Sequence, residues 1–215
     1  IHPSVAKLVE TATHPRVLVV NDPVPSLKVN NLYTDVNAGM RQAVRYLSRK
    51  GFRKIGMLHG PWEVPFGVGR KKVKVPFIDT QLKVKGLIRA LKAEGIRFKE
   101  SGFRSGNANS EAEGYRIMKE WLREKDIPEV IVCGNDDLAF GALKAIKGSG
   151  RKIAVTGFDD NALAQSFNPS LTTLRQPLKQ IGKDAVDILV RQIKSPPSRP
   201  FSQKYLPRLV VRKSA

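Results

Sequence analysis

The chain has 215 residues, enough for one good core or two small lobes. Its 38 Lys and Arg against 19 Asp and Glu give a formal charge of +19. That charge favours a polyanionic partner or surface, although basic residues scattered through helices read equally as a solvated face.

No apolar run approaches the ~20 residues of a membrane span. The start at Ile1 has neither an initiator Met nor an apolar signal segment, which points to a fragment. One cysteine, Cys133, excludes an internal disulfide framework and fits a reducing, cytoplasmic setting. It stands in the apolar run Val130–Cys133 and reads as a buried thiol.

Taken in order, Pro3 opens a helix with Val5, Leu8, Val9 and Ala12 on one face, stopped at His14-Pro15. Arg16–Asn21 is a short apolar strand and Asp22–Ser26 a stiff turn. Val29–Thr34 is a weaker strand. Asp35 caps a helix to Lys50 that buries Met40, Ala43, Val44 and Leu47 and stops at Gly51. Lys54–His59 is the next strand. A long loop, Gly60–Ile78, carries the basic run Arg70–Lys74. Asp79 reads as the cap of a helix bearing Val84, Leu87, Ile88 and Leu91, ended by Gly95. A strand lies near Phe98–Phe103. Ser110 and Glu113 form a capping box for a helix with Tyr115, Met118, Trp121 and Leu122.

Val130–Cys133 is a strand and Asp136–Lys147 a helix. Lys152–Gly157 is the next strand, followed by Asp159 and Asp160; Leu171–Arg175 is another. A helix from about Pro177 to Ile193, the Pro-rich link Ser195–Pro200 and a last strand, Tyr205–Val211, complete the chain. Strands alternating with helices imply an α/β fold of parallel sheets with helices on both faces. Ligands of such sheets bind beyond the carboxyl ends of the strands. Asp159 and Asn135 both fall there, and a carboxylate beside an amide offers acceptors and donors to a polyol. Asp159 as a turn residue or helix cap and Asn135 as an αL or Asx-turn residue are the plain alternatives. Asp160 reads as the cap of the helix that follows it, and Asp136-Asp137 as charges at a helix start.

Catalytic signals are thin. His2, His14 and His59 are dispersed, no His/Cys cluster has metal spacing, and no nucleophile elbow, Walker loop or dinucleotide fingerprint occurs. No enzyme, metal or cofactor is expected.

In order along the chain stand Gly134-Asn-Asp-Asp-Leu-Ala-Phe-Gly-Ala142, Gly157-Phe-Asp-Asp160, Pro169-Ser-Leu-Thr-Thr173, Gln176-Pro177 and Gly182, with Leu206–Ser214 at the close. Asp35–Gly39 and Gly51–Ile55 fit an earlier segment. This pattern resembles the effector-binding core of the LacI/GalR family of bacterial transcription regulators. The resemblance implies a two-lobe, type I periplasmic-binding-protein-like fold. Residues 1–34 and 177–202 would form an incomplete amino-terminal lobe, and 35–176 with 203–215 a carboxyl-terminal lobe. The chain would cross between them near Thr34-Asp35, near Leu174–Pro177 and near the Pro-rich link. The family's opening strands and helix-turn-helix DNA reader are not in this sequence, so apolar surface of the smaller lobe is expected to need cover. The loop 60–78 is longer and more basic than the family's, and 148–152 shorter.

The resemblance also assigns effector contacts to Asp159, Asn135, Lys83, Asn109 and Asp79. Lys83 stands where the family commonly has an Arg, and Asn109 where an aromatic often stacks on ligand. An exposed helix lysine, a loop amide and a helix cap are the respective alternatives. Phe140 and Phe167 are placed in a homodimer interface, with core packing as the alternative. The function implied is a small-molecule sensor, its effector a sugar or nucleoside-like compound held between the lobes, that controls DNA binding by the absent reader. A solute-binding protein for sugar transport, which shares the architecture, is the alternative.

Overall fold

The computed structural model describes residues 18–21, 29–66, 73–195 and 199–215. The expected opening helix, the turn at 22–26 and most of the basic run at 70–74 lie outside them. Eleven strands are described: β1 (Leu18–Asn21), β2 (Asn30–Thr34), β3 (Ile55–His59), β4 (Glu63–Phe66), β5 (Val73–Pro76), β6 (Phe103–Ser105), β7 (Val130–Cys133), β8 (Ala154–Asp159), β9 (Thr172–Arg175), β10 (Ser202–Tyr205) and β11 (Arg208–Val210). The helices are α1 (Val36–Arg49), α2 (Ile78–Ala93), α3 (Glu111–Trp121), α4 (Asp136–Lys147), α5 (Leu163–Ser166) and α6 (Leu178–Lys194).

Six strands form the main sheet in the order β11-β9-β8-β7-β3-β6, parallel except for β11, which runs antiparallel along β9. Its central strands are apolar on both sides because helices cover both faces. On one face α1 and α2 pack Met40, Leu47, Leu87 and Leu91 against Met57, Val132 and Phe158. On the other, α3 and α4 pack Met118, Trp121, Leu138 and Phe140 against Leu58, Ile131 and Val155. The α3–α4 crossing is close enough that backbone meets backbone. A Cβ on Gly114 would lie 2.3 Å from the Leu138 carbonyl oxygen, and one on Gly141 2.0 Å from that of Glu111. Only glycine fits at either point.

A second, three-stranded parallel sheet has the order β1-β2-β10. It is backed by α6 through a small core of Leu32, Ile181 and Tyr205. The outer face of α6 remains apolar and exposed at Leu178, Val186, Leu189, Val190 and Ile193.

The structure corrects several expected elements. The loop 60–78 contains an antiparallel hairpin, β4–β5. Pro65 and Pro76 within those short runs mask them in the sequence. The last strand is two: β10 joins the small sheet and β11 the large one, divided at Leu206-Pro207 where proline breaks the run. The strand near Phe98–Phe103 starts only at Phe103, after a 3-10 turn at Glu100–Gly102. Asp35 does cap α1, accepting from the Ala38 amide at 2.9 Å. Ser110 caps α3 through the Glu113 amide, but the Glu113 carboxylate turns to the Asn107 amide and Arg116, so only half of the box forms.

Candidate functional site

Five parallel strands end at one edge of the main sheet: β6 at Ser105, β3 at His59, β7 at Cys133, β8 at Asp159 and β9 at Arg175. β8 runs two residues past the expected end, so Asp159 is its last residue. Asp159 (φ 117°) and Asp160 (φ 59°) both adopt left-handed backbone, which costs a non-glycine residue ~1–3 kcal/mol each. The turn aims the two neighbouring carboxylates at different partners. Asp159 accepts from the Gln176 amide at 2.7 Å, and Gln176 in turn accepts from the Thr34 hydroxyl at 2.7 Å. The link runs from the end of β8 to the end of β2 in the other sheet. Burial lifts the Asp159 carboxyl above its usual range, and the Lys83 ammonium and the Gln176 bond restrain that rise.

Asp160 does not cap α5. Its side chain is almost wholly buried between Arg175 and Arg212, the latter at 2.7 Å. Burial pushes its carboxyl upward, but the two guanidinium groups outweigh that and hold it low. Asn161 supplies the turn bond instead, accepting from the Leu163 amide.

Lys83 is not an exposed helix lysine. Its side chain is 5 % exposed and its ammonium lies 2.7 Å from Asp79 and 4.2 Å from the centre of the Phe158 ring. Asp79 is not the cap of α2. The chain enters straight from β5, the helix begins at Ile78 with Phe77 at the cap position, and Asp79 is free to pair one turn along. The carboxylate and the ring face together offset the burial of the lysine charge.

Asn135 has extended backbone rather than αL, and caps α4 by accepting from the Leu138 amide at 2.9 Å. Its amide nitrogen donates to the Asn109 carbonyl at 3.2 Å, tying the β7 and β6 loops together. The side chain of Asn109 lies against Gly60, at the end of β3.

Asp136, expected as a helix-start charge, is instead a buried brace. It accepts from Thr173 at 2.6 Å and from the Asn161 amide at 2.7 Å, across β8. Burial drives its carboxyl up to about 6, with the fields of Asp159 and Asp160 adding to the rise. Three further residues at this edge escaped sequence reasoning. Gln176 was visible only as part of a motif. His59 is buried, bonded at Nδ1 to Gly60 oxygen, and kept neutral by burial, which lowers its pKa. Trp62, 41 % exposed, meets the His59 ring edge-on at 5.1 Å.

The structure thus brings together Asp159, Lys83 and Asp79, and separately joins Asn135 to Asn109. Phe140 is 1 % exposed inside the chain's own core, stacked on Phe167 at 4.6 Å between ring centres. It is therefore not on the surface, because α4 turns it inward, and only the partly buried Phe167 can be reached from outside. Among the described residues no helix is long and apolar enough to cross a membrane, and no group of His, Cys, Asp and Glu is arranged to hold a metal. Among the described residues, two open hollows lie at the opposite, amino ends of the strands, around Arg53, Lys54 and Lys99 and around Lys50 and Lys152, and a third lies beside α6 around Asp184, Asp187 and Arg191.

Residues 44–215 match the family described as periplasmic binding protein-like domain. The HTH-type transcriptional repressor PurR of Escherichia coli O1:K1 / APEC is 32% identical over 180 residues, covering 82% of this chain and 49% of the relative. The chain therefore spans about half the length of the curated relatives it matches. In solved structures, the transcriptional regulator CelR–cellobiose complex superposes with a TM-score of 0.78 at 26% identity, covering 92% of this chain and 58% of that one. The Lac repressor dimer bound to operator and the anti-inducer ONPF gives 0.77 at 25% identity, covering 92% and 56%.

Proposed function

Because the chain belongs to the periplasmic binding protein-like domain family and has the effector-binding core of the LacI/GalR regulators, we propose that it senses a small molecule at the Asp159 edge and passes that occupancy to a DNA-binding segment. One observation carries the reading. Asp159 stands at the strand ends where α/β sheets bind ligands, and Gln176 bonds it to Thr34 of the second sheet. A ligand that engages Asp159 acts on the joint between the two sheets. It shifts their arrangement by as much as its affinity differs between the two states.

In this reading residues 1–34 with 177 through β10 are one lobe and 35–176 with β11 and the residues after it the other, so the return crossing lies between β10 and β11 rather than at 202–203. The effector is a sugar or nucleoside-like compound. Asp159 accepts from its hydroxyls or ring nitrogens. Lys83 and Asp79 form the charged wall, and Asn135 and Asn109 the amide wall. The core dimerises with Phe167 near the contact, performs no catalysis and works in the cytoplasm. The repressors among its relatives favour this reading over solute transport.

Calorimetry of the full protein against a panel of sugars and nucleosides tests it. Asp159→Ala should weaken the best ligand ten- to a hundredfold, the ~1.5–3 kcal/mol of a charged hydrogen bond. Unchanged affinity in Asp159→Ala would move the site elsewhere.

A further inference from the structure

The amino edge of the main sheet carries two adjoining hollows, one lined by Arg53, Lys54, Arg97 and Lys99, the other by Lys50 and Lys152. They share the turn from Lys50 to Ile55 and lie across β6, β3, β7 and β8, which are neighbours in the sheet. Of the charged residues that line them, these six cations face two carboxylates, Asp126 and Glu129, and both carboxylates are already engaged. Asp126 is divided between Lys54 at 3.3 Å and Lys99 at 3.1 Å. Glu129 accepts from the backbone amides of Arg53 and Lys54 at 2.9 Å and 3.1 Å. Arg53 is held by carbonyls rather than by a carboxylate: its Nη1 donates to the Ser48 and Phe52 oxygens, which fixes the guanidinium without neutralising it. Lys50, Arg97 and Lys152 are exposed and make no ion pair among the described residues. Lys50 and Arg53 complement the carbonyl end of α1, as cations at a helix end commonly do. Lys54, Arg97, Lys99 and Lys152 stand instead in segments that enter strands, where no helix dipole calls for a cation.

We propose that this strip is a docking surface for the sugar-phosphate backbone of duplex DNA, bound without sequence preference and at the end of the sheet opposite Asp159. Four strands at ~4.8 Å spacing span ~14 Å, a length over which one strand of a duplex presents about four phosphates. An acidic protein fits the strip less well. Such a partner needs apolar anchors at the centre of its interface, and none of the large exposed apolar side chains lines either hollow. Single-stranded nucleic acid needs exposed rings on which its bases stack. Phe52, the one aromatic among the lining residues, packs instead against the core beneath α1 and α2. Backbone contacts carry no base information, so the strip adds affinity without choosing a sequence.

Fluorescence anisotropy of the 215-residue chain with a labelled duplex of arbitrary sequence, over a salt series, tests this. Two variants lose the same charge. One carries Lys50→Gln, Arg97→Gln and Lys152→Gln in the strip; the other carries Lys85→Gln, Lys179→Gln and Lys194→Gln on α2 and α6. All six side chains are exposed, so the fold is left alone. The strip variant should bind at least ~10-fold more weakly at low salt, and its slope of log affinity against log salt should become shallower by roughly 2–3. The control variant should stay near the wild type. Equal losses in the two variants would mean that the diffuse charge of the chain holds the duplex, and would overturn the proposal. So would a wild type that does not bind the duplex at low salt, or one that binds polyglutamate or anionic vesicles more tightly than the duplex at equal salt.

Discussion

Gln176 donates its side-chain amide to Asp159 at 2.7 Å while accepting the Thr34 hydroxyl at 2.7 Å. One carboxamide therefore serves the carboxyl end of β8 and the carboxyl end of β2, in different sheets. Gln176→Leu keeps the volume and removes both bonds. It leaves Asp159 and Thr34 without these partners, at ~1–3 kcal/mol in stability. A urea melt should show that loss, and ligand affinity should fall with it. A Gln176→Leu protein of wild-type midpoint would mean that the two sheets are coupled through other contacts.

Asp136 makes stability depend on pH in a definite direction. Its carboxyl is raised to about 6 by burial, above the ~3.9 of an unfolded Asp. The folded state therefore holds the proton more tightly. The contribution is fully present below the unfolded value and is lost as pH rises through about 6. A shift of roughly two units is worth ~3 kcal/mol. Denaturation of wild type and Asp136→Asn at pH 4 and pH 7 should show the wild type losing about that much more across the interval. Parallel pH profiles would show that Asp136 titrates normally.

Gly157 makes room for that brace. A Cβ there would stand 2.2 Å from Asp136 Oδ1 and 2.9 Å from Leu171 Cδ2. Gly157→Ala must displace the buried carboxylate from Thr173, costing ~1–3 kcal/mol or more. Thermal melts measure it, and a neutral substitution would mean that the β8–α4 contact yields easily.

Phe167 packs over Phe140, so any test of its place in a dimer must separate folding from association. Phe167→Leu should weaken the stack by about 1 kcal/mol and leave association nearly intact. Phe167→Glu should weaken the dimer in sedimentation of the full protein. A monomer at every concentration in wild type would remove the interface.

The formal charge of +19 should give this chain only weak, sequence-indifferent DNA binding that falls steeply with salt through counterion release. Fluorescence anisotropy between low and physiological salt provides the check. Selective binding to one duplex that survives physiological salt would contradict it.

The sequence conveyed elements whose signal is local. Val130–Cys133 and Asp136–Lys147 have their expected bounds, since an unbroken apolar run and an Asn-capped amphipathic helix depend on neighbours in the chain. It misled where the partner is distant. Asp79 and Asp160 look like caps because Asp commonly caps, yet Lys83 claims one and Arg175 with Arg212 the other. The plain alternative for Lys83, an exposed helix lysine, fails because the ring that shelters it, Phe158, lies 75 residues away in sequence and meets it only in the folded sheet. The resemblance supplied Asp159, but the bond that ties it to the second sheet runs through Gln176 to Thr34, 142 residues from Gln176 in sequence and brought near only by the fold.

The glycine crossing of α3 and α4 has a mechanical meaning. With Leu138 and Glu111 backbone where Cβ atoms would otherwise stand, the two helices cannot slide without a steric clash or part without losing that close packing, and they behave as a single beam. The loop bearing Asn109 leads into one end of α3, and Asn135 caps the same end of α4, joined at 3.2 Å. A ligand that tugs on either amide displaces both. Their response is a rigid tilt of the beam rather than two independent loop movements, so a label on α3 would register an event felt at Asn135.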